Sequence, residues 1–395
     1  AVSAKNTLIP TGPTGPTAFR TRSTVAGAMD PSLTAAGHPP QPLDRADWQS
    51  PSSGSADVGL YVHLPFCRAK CHYCDFNSVV ASTEEVARYL QALEREIQNQ
   101  PPRSVATVYF GGGTPTVCSP EQLGAVLKSL GDQFSIRAEA EITCEANPGT
   151  VTGESLLALR RAGFNRLSLG VQSLHDDELR LLGRIHTAEQ ARDAVVAARE
   201  AGFTNLSLDL LRGLPGQSFQ RWRATVEGAL ALAPDHISVY GLTLEEGTPL
   251  LEAVRQGRYP WPRNEEMAEW VAWTVQRLEA EGFRRYEISN YARPGYECRH
   301  NLNYWEQGEY VGLGAGAWSY LDGERRANLA SPAAYASAAL AGEPLTEEAE
   351  RLGPEAAAGE AVMLGLRKVE GVDLMAIRRR YGVDVLERHK AAIQQ

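Results

Sequence analysis

No stretch of the 395-residue chain approaches the roughly 18 consecutive apolar residues of a membrane-spanning helix, so a transmembrane protein is not expected. An excess of positive charge is missing too. Lys and Arg number 39 against 48 Asp and Glu, a formal net charge of -9, whereas a nucleic-acid partner ordinarily leaves a basic footprint. A local basic pocket is still compatible with that balance. Cysteine is scarce, six residues in all. Cys67, Cys71 and Cys74 fall within a single short run, which suits a metal-binding loop in a reducing compartment better than a disulfide framework. Cys118, Cys144 and Cys298 have no partner visible in the sequence, and Cys144, in an apparent strand, reads as a small buried apolar residue. What is plentiful is ordinary: 43% hydrophobic and 22% charged residues describe a globular chain, long enough for one large or two modest domains.

Residues 1–56 lack apolar periodicity and are rich in Pro, Gly, Ser, Thr and Ala, which predicts disorder. An organelle transit peptide is the alternative there, since basic residues outnumber acidic ones, and Met29 is a candidate start. From Val58 onward, strand-like runs at 59–63, 105–110, 138–145, 166–170, 205–210 and 236–241 alternate with helix-period segments. This alternation predicts right-handed βαβ units and a parallel sheet, hence an α/β fold. Ser82 with Glu85 and Thr187 with Gln190 have capping-box spacing, and Ser119 precedes Pro120 where a missing N–H costs nothing. Ala162-Gly-Phe-Asn-Arg-Leu-Ser-Leu169 echoes Ala201-Gly-Phe-Thr-Asn-Leu-Ser-Leu208, and Gly282-Phe repeats it loosely. Each echo reads as a helix ended by a left-handed glycine, a phenylalanine packed back on the last turn, and a strand. After about residue 245 the pattern shifts to a Trp- and Glu-rich helix, a Gly/Tyr/Trp-rich stretch and an Ala-rich helical region. The expected division is 1–56, a core at 57–245, an extension at 246–330 and a C-terminal helical domain at 331–395, truncated because no closing strand pair precedes Gln395.

The strongest local pattern is Tyr61-Val-His-Leu-Pro-Phe-Cys-Arg-Ala-Lys-Cys-His-Tyr-Cys-Asp-Phe76, directly after a predicted strand. Three thiolates at this spacing can hold three irons of a 4Fe-4S cube and leave the fourth open to a small molecule. A zinc site and a chance cluster of buried thiols are the competing readings; zinc needs a fourth ligand, for which His72 is nearest but awkwardly placed between two of the cysteines. Gly111-Gly-Gly-Thr-Pro115 follows another strand and is either a plain tight turn or a place where backbone approaches a ligand. Gly312-Leu-Gly-Ala-Gly-Ala-Trp-Ser319 is a weak glycine pattern on its own.

The C-x3-C-x2-C spacing with Tyr73 before the last cysteine resembles the signature of the radical S-adenosylmethionine (SAM) superfamily. The cysteine run, Gly111-Gly-Gly-Thr-Pro-Thr116, Glu145-Ala-Asn-Pro-Gly-Thr150, Gly170-Val-Gln-Ser173, Leu182-Gly-Arg-Ile-His186 and Asp209-Leu-Leu-Arg-Gly-Leu-Pro-Gly216 together resemble oxygen-independent coproporphyrinogen III oxidases and their HemW-type haem-chaperone relatives. The resemblance implies a partial parallel (β/α)6 barrel with a C-terminal, mainly helical accessory domain. It implies a 4Fe-4S cluster on Cys67, Cys71 and Cys74, and SAM contacts at Tyr61, Tyr73, Gly112, Gly113, Thr114, Glu145, Gln172, Arg184 and Asp209. In a parallel barrel the cysteine loop, the glycine run, Glu145, Gln172 and Asp209 would gather at the C-terminal ends of the strands. His63 is expected to orient the cysteine loop.

His300-Asn-Leu-Asn-Tyr-Trp305 resembles the H-N-x-x-Y-W motif of the chaperone branch, which implies a haem site at His300, Tyr304 and Trp305; a hydrogen-bonded histidine beside core aromatics is the plain alternative. The oxidase branch carries a fourth cysteine two residues after the third, where this chain has Phe76, and residues 1–56 hold no recognisable substrate-handling element. The expected function is therefore haem binding and delivery to acceptor apoproteins by a cytoplasmic protein, with peripheral membrane contact left open. Coproporphyrinogen oxidation, a radical haem-opening methyltransferase and a zinc-stabilised binding module are the alternatives.

Overall fold

The computed structural model describes residues 57–393, so the disorder, transit-peptide and alternative-start expectations for 1–56 lie outside the described residues. Strands and helices alternate through the first part of the chain: β1 (Val58–Leu64), α1 (Thr83–Gln98), β2 (Ser104–Gly112), α2 (Pro120–Gln133), β3 (Ser135–Ala146), α3 (Gly153–Ala162), β4 (Arg166–Gln172), α4 (Asp176–Leu181), α5 (Ala188–Glu200), β5 (Leu206–Arg212), α6 (Phe219–Ala231) and β6 (His236–Gly241). Next come α7 (Pro249–Arg255), α8 (Asn264–Ala280), β7 (Arg284–Arg285), β8 (Asn290–Ala292), α9 (Arg299–Trp305), β9 (Tyr310–Leu313), β10 (Trp318–Leu321) and β11 (Glu324–Asn328). The rest is α10 (Pro332–Ala341), β12 (Thr346–Arg351), α11 (Pro354–Gly365), α12 (Leu374–Tyr381), α13 (Val385–Arg388) and α14 (Lys390–Ile393).

The strands form one open sheet in the order β12-β11-β10-β9-β1-β2-β3-β4-β5-β6-β8-β7. β1 to β6 pair in parallel, as the alternation predicts. A seventh parallel strand, β9, pairs with β1 on its other side. It escapes sequence reading because it is four residues long and interrupted by Gly312, where a Cβ would lie 2.0 Å from the Trp318 carbonyl oxygen. Antiparallel strands extend both edges, so the sheet does not close.

Period-two alternation decides which face is which. In β5, Leu206, Leu208 and Leu210 are fully buried in the core shared with the helices. Ser207 and Asp209 face the other way and bond to neighbouring strands inside the curved sheet. The same parity gives β2 an inner row of Thr107, Tyr109 and Gly111. The helix signals hold. Ser82, Ser119 and Thr187 all close capping boxes, and the glycines of the repeated αβ loop, Gly163, Gly202 and Gly282, have φ of 114°, 87° and 83° ahead of the buried Phe164, Phe203 and Phe283.

α10 packs on α1 through Tyr335 and Tyr89, whose ring centroids are 5.1 Å apart, and β12 pairs with β11. Between α1 and α10 lies a buried carboxylate. Glu96 accepts from the Gly314 amide at 2.7 Å, Tyr335 Oη at 2.6 Å and Asn328 Nδ2 at 2.6 Å. Burial nevertheless lifts it from its ordinary 4.5 to about 7. The native state therefore holds a proton that the unfolded chain releases near pH 4.5, and stability falls as pH rises through that window and levels off above 7. Glu96→Gln keeps the site uncharged, so wild type is expected to lose urea resistance relative to the variant between about pH 5 and 7. Parallel pH profiles would contradict this.

Candidate functional site

β1 delivers the chain into the cysteine loop. The loop is cinched at its base, where Cys67 N donates to Val79 O at 2.9 Å and Val79 N to Pro65 O at 2.7 Å. His63 is buried beneath it, its Nε2–H donating to Asn77 O at 2.9 Å and its Nδ1 accepting from Tyr61 Oη at 3.0 Å. Burial lowers this imidazole to about 4, so it stays neutral and acts as a strut. Cys67, Cys71 and Cys74 are half-buried free thiols. Burial raises the pKa of Cys67 and pushes Cys74 to about 11, so a bound metal must displace their protons. His72 faces elsewhere: its Nδ1–H donates to Leu181 O at 2.9 Å and its amide to Leu182 O. Among the described residues no three His, Cys, Asp or Glu side chains converge on a single ion. With His72 turned away, the loop offers three thiols and no fourth ligand of its own to close a zinc tetrahedron, which suits a cluster with one open iron.

The glycine run after β2 lies flat against that loop. Gly113 N donates to Leu64 O at 2.9 Å and Thr114 N to Phe66 O at 2.7 Å. Gly112 has φ of 113°, and a Cβ there would meet the His63 ring at 2.7 Å, while one on Gly113 would lie 2.7 Å from Phe66 O. These glycines are thus required first by the fit of one loop on another. Thr114 Oγ1 sits 3.6 Å from Cys67 Sγ, which brings the two motifs into contact.

Tyr73 and Arg184 adjoin the cysteines, Gln172 lies beside Arg184 at Gly170, and Glu145 rests against Gly111 with Asp209 in electrostatic reach of it. Arg184 bridges two motifs, donating from Nη2 to Gly170 O at 2.7 Å and from Nη1 to Cys71 Sγ at 3.5 Å, while its buried Nε has no partner. Gln172 adopts φ of 66°, a left-handed conformation that costs a non-glycine residue about 1–3 kcal/mol, at a register shift in the β4–β5 pairing. Glu145 is raised to about 8 by burial, even though Tyr109 Oη donates to its Oε1 at 2.7 Å. Asp209 is raised for the same reason, with the hydroxyl of Ser168 donating to it at 3.0 Å. Two carboxylates removed from water, with an orphaned guanidinium nitrogen beside the thiols, fit a ligand that brings both a cationic centre and a carboxylate. SAM is such a ligand. Tyr61 differs from the others, since it is buried and its hydroxyl is spent on His63.

The second motif lies elsewhere. α9 sits at the opposite, N-terminal ends of the strands, directly before β9, where Gly59 N donates to Glu309 O at 3.0 Å. His300 points from α9 into the floor of the curved sheet and is fully buried. Its Nδ1 is 2.8 Å from Thr107 Oγ1 and its Nε2 is 2.9 Å from Tyr304 Oη. Its ring stacks on Tyr109 with centroids 5.1 Å apart. Burial, with Arg166 nearby, lowers it to about 3. Trp305 is half-buried under the Arg367 guanidinium, 5.3 Å from its ring, and its Nε1 has no partner. The C-terminal segment holds the turn after α9, through Lys368–Glu306 at 3.0 Å and Arg380 of α12 donating to Gln307 O at 3.0 Å.

Sequence reading passed over two residues at the heart of this arrangement. Tyr109 joins Glu145 to His300, and its place on the inner row with Thr107 and Gly111 was the available signal. Arg166, almost wholly buried with an unpartnered Nε, stands between the two ends of the lumen; a charged residue opening a strand was its signal.

The family model for the radical SAM superfamily matches residues 61–229, and the model for the HemN C-terminal domain matches residues 352–395. "Heme chaperone HemW" of Bacillus subtilis (strain 168) is 39% identical over 328 residues, covering 82% of this chain and 86% of its own. Its namesake in Mycobacterium tuberculosis (strain ATCC 25618 / H37Rv) is 38% identical over 343 residues, covering 85% and 87%. Among solved structures, coproporphyrinogen III oxidase (HemN) from Escherichia coli, described as a radical SAM enzyme, superposes with a TM-score of 0.75 at 26% identity, covering 86% of this chain and 82% of that one. A mostly parallel open sheet, a thiol loop facing a glycine run, and likeness over most of the length to proteins of one kind lead to one conclusion: the chain belongs to the HemW family within the radical SAM superfamily.

Proposed function

We propose that this protein is a haem chaperone, which binds haem and passes it to acceptor apoproteins on a scaffold that carries a 4Fe-4S cluster and SAM. The observation that carries the reading is the His300 motif, an internal imidazole kept neutral at the floor of a sheet whose other end gathers the cysteine loop. In this proposal Cys67, Cys71 and Cys74 hold the cluster, while Gly112, Gly113, Thr114, Tyr73, Glu145, Gln172, Arg184 and Asp209 surround SAM, with Tyr61 bracing them from below. When bound, the cluster supplies a one-electron centre with one iron open to SAM.

His300 would serve as the haem ligand through Nε2. With Nδ1–H donating to Thr107, Nε2 holds the lone pair that iron needs, and Thr107 fixes the ring as an outer-shell partner does. Iron would take the place of the Tyr304 hydroxyl, 2.9 Å from Nε2. Tyr304 and Trp305 then offer flat surfaces to the porphyrin. The acceptors are apoproteins met in the cytoplasm, with any membrane contact peripheral. No helix among the described residues is long and apolar enough to cross a membrane. The likeness to E. coli coproporphyrinogen III oxidase favours porphyrinogen decarboxylation as a second reading. Phe76, at the place of the oxidase's extra cysteine, weighs against it.

Anaerobic reconstitution is expected to load about four irons and four sulfides per chain, and joint replacement of Cys67, Cys71 and Cys74 by Ala to abolish the loading. Zinc in place of iron, or a cluster that survives the triple replacement, would sink the cluster assignment. His300→Ala should weaken haem binding about tenfold or more, equivalent to ~1.4 kcal/mol, and move the Soret band while iron and sulfide content hold. An unaltered spectrum and affinity would return His300 to a packing role.

A further inference from the structure

β2 runs the depth of the sheet, and its inner row touches both ends of the site. At the floor, Thr107 Oγ1 is 2.8 Å from His300 Nδ1. One step up, the Tyr109 ring lies nearly parallel to His300, at 25° and 5.1 Å between centroids, while its hydroxyl donates to Glu145 Oε1 at 2.7 Å. One step further, a Cβ on Gly111 would come within 3.1 Å of the same Glu145 oxygen, so that carboxylate rests directly on the strand. Tyr109 is 1% exposed and stacks on Tyr61 as well, at 6.3 Å. A ring packed on two sides and tethered at its hydroxyl has no room to shift alone.

We propose that Tyr109 is a positioning residue that couples the SAM pocket to the haem motif, through its hydrogen bond to Glu145 and its stack on His300. The proposal rests on the assignments of Glu145 to SAM and His300 to haem. A cationic ligand beside Glu145 holds that carboxylate in place, and Tyr109 with it. The ring then presents His300 in one fixed orientation, so less ordering remains to be done when the porphyrin arrives. SAM thereby tightens haem binding, and haem tightens SAM binding by the same factor, because coupling between two ligands is reciprocal.

The test is a binding cycle on the full, cluster-loaded chain. Haem is titrated by its Soret absorbance with and without saturating SAM, and SAM is titrated calorimetrically with and without haem. Wild type should show a ratio of at least about fivefold in each direction. Tyr109→Phe keeps the ring and loses only the hydroxyl, so both ratios should collapse towards unity. Glu145→Gln, which weakens the same link from the other side, should reduce the haem ratio at saturating SAM. Equal haem affinities with and without SAM in wild type, or an undiminished ratio in Tyr109→Phe, would overturn the coupling. Failure of the underlying site assignments reads differently. His300→Ala would then bind haem, and Glu145→Gln would bind SAM, as wild type does, whereas a failed coupling leaves both variants weakened and the ratio unmoved.

Discussion

The parallel ladder between β1 and β2 is the constraint on which the rest of the site depends. Tyr61 opposite Tyr109, His63 opposite Gly111 and Leu64 opposite Gly112 fix where two loops leave the sheet, and those loops carry the thiols and the glycine run. A slip of one residue would turn Tyr109 and Thr107 into the helical layer and Val108 and Phe110 into the lumen. The register is held by the apolar outer row, Val108 and Phe110 being fully buried among the helices. Hydrophobic burial on one face of β2 thus determines polar geometry on the other.

The lumen concentrates charge in a way the sheet alone cannot relieve. Burial lifts Glu145 to about 8 and raises Asp209 as well, and the buried Arg166 shares the space with its Nε unpartnered. An interior of this kind costs stability when empty and gains when a charged ligand completes it. That logic supports a two-ended protein, with cofactor chemistry at the C-terminal ends of the strands and the proposed haem motif at the floor. α9 is tied to β2 and β3 by His300 and by the Glu141 carboxylate, while Lys368, Arg380 and Arg367 reach its last residue and the turn after it. Polar contacts of this sort exchange with water more cheaply than buried leucines do.

Much of the fold was legible because its signals are local. β1 to β6 announce themselves by β-branched and apolar runs between capped helices, and the three Gly-Phe echoes each mark a helix end. The gathering of Glu145, Gln172 and Asp209 near the cysteine loop follows from parallel topology, which puts the loops after successive strands on one side. The place of His300 was not legible. It depends on β9 joining β1 across a sequence separation of about 250 residues, a pairing with no periodic signature. Tyr109 was obscured for another reason: in the run Val-Ala-Thr-Val-Tyr-Phe it reads as one more core aromatic, and only parity with Thr107 separates it from Phe110. His72 was misleading in the opposite sense, near the cysteines in sequence yet bonded to the carbonyl of Leu181.

Chaperone and oxidase share this scaffold, so the decisive measurement sets their activities side by side in one preparation. Cluster-reconstituted protein, shown to bind SAM and haem, is supplied anaerobically with reductant and SAM, and divided between haem with an apo-acceptor and coproporphyrinogen III. A haem chaperone hands haem to the acceptor and forms no protoporphyrinogen IX above a cluster-free control. Multiple-turnover formation of protoporphyrinogen IX, or haem that stays on the protein in the presence of acceptor, would contradict that function.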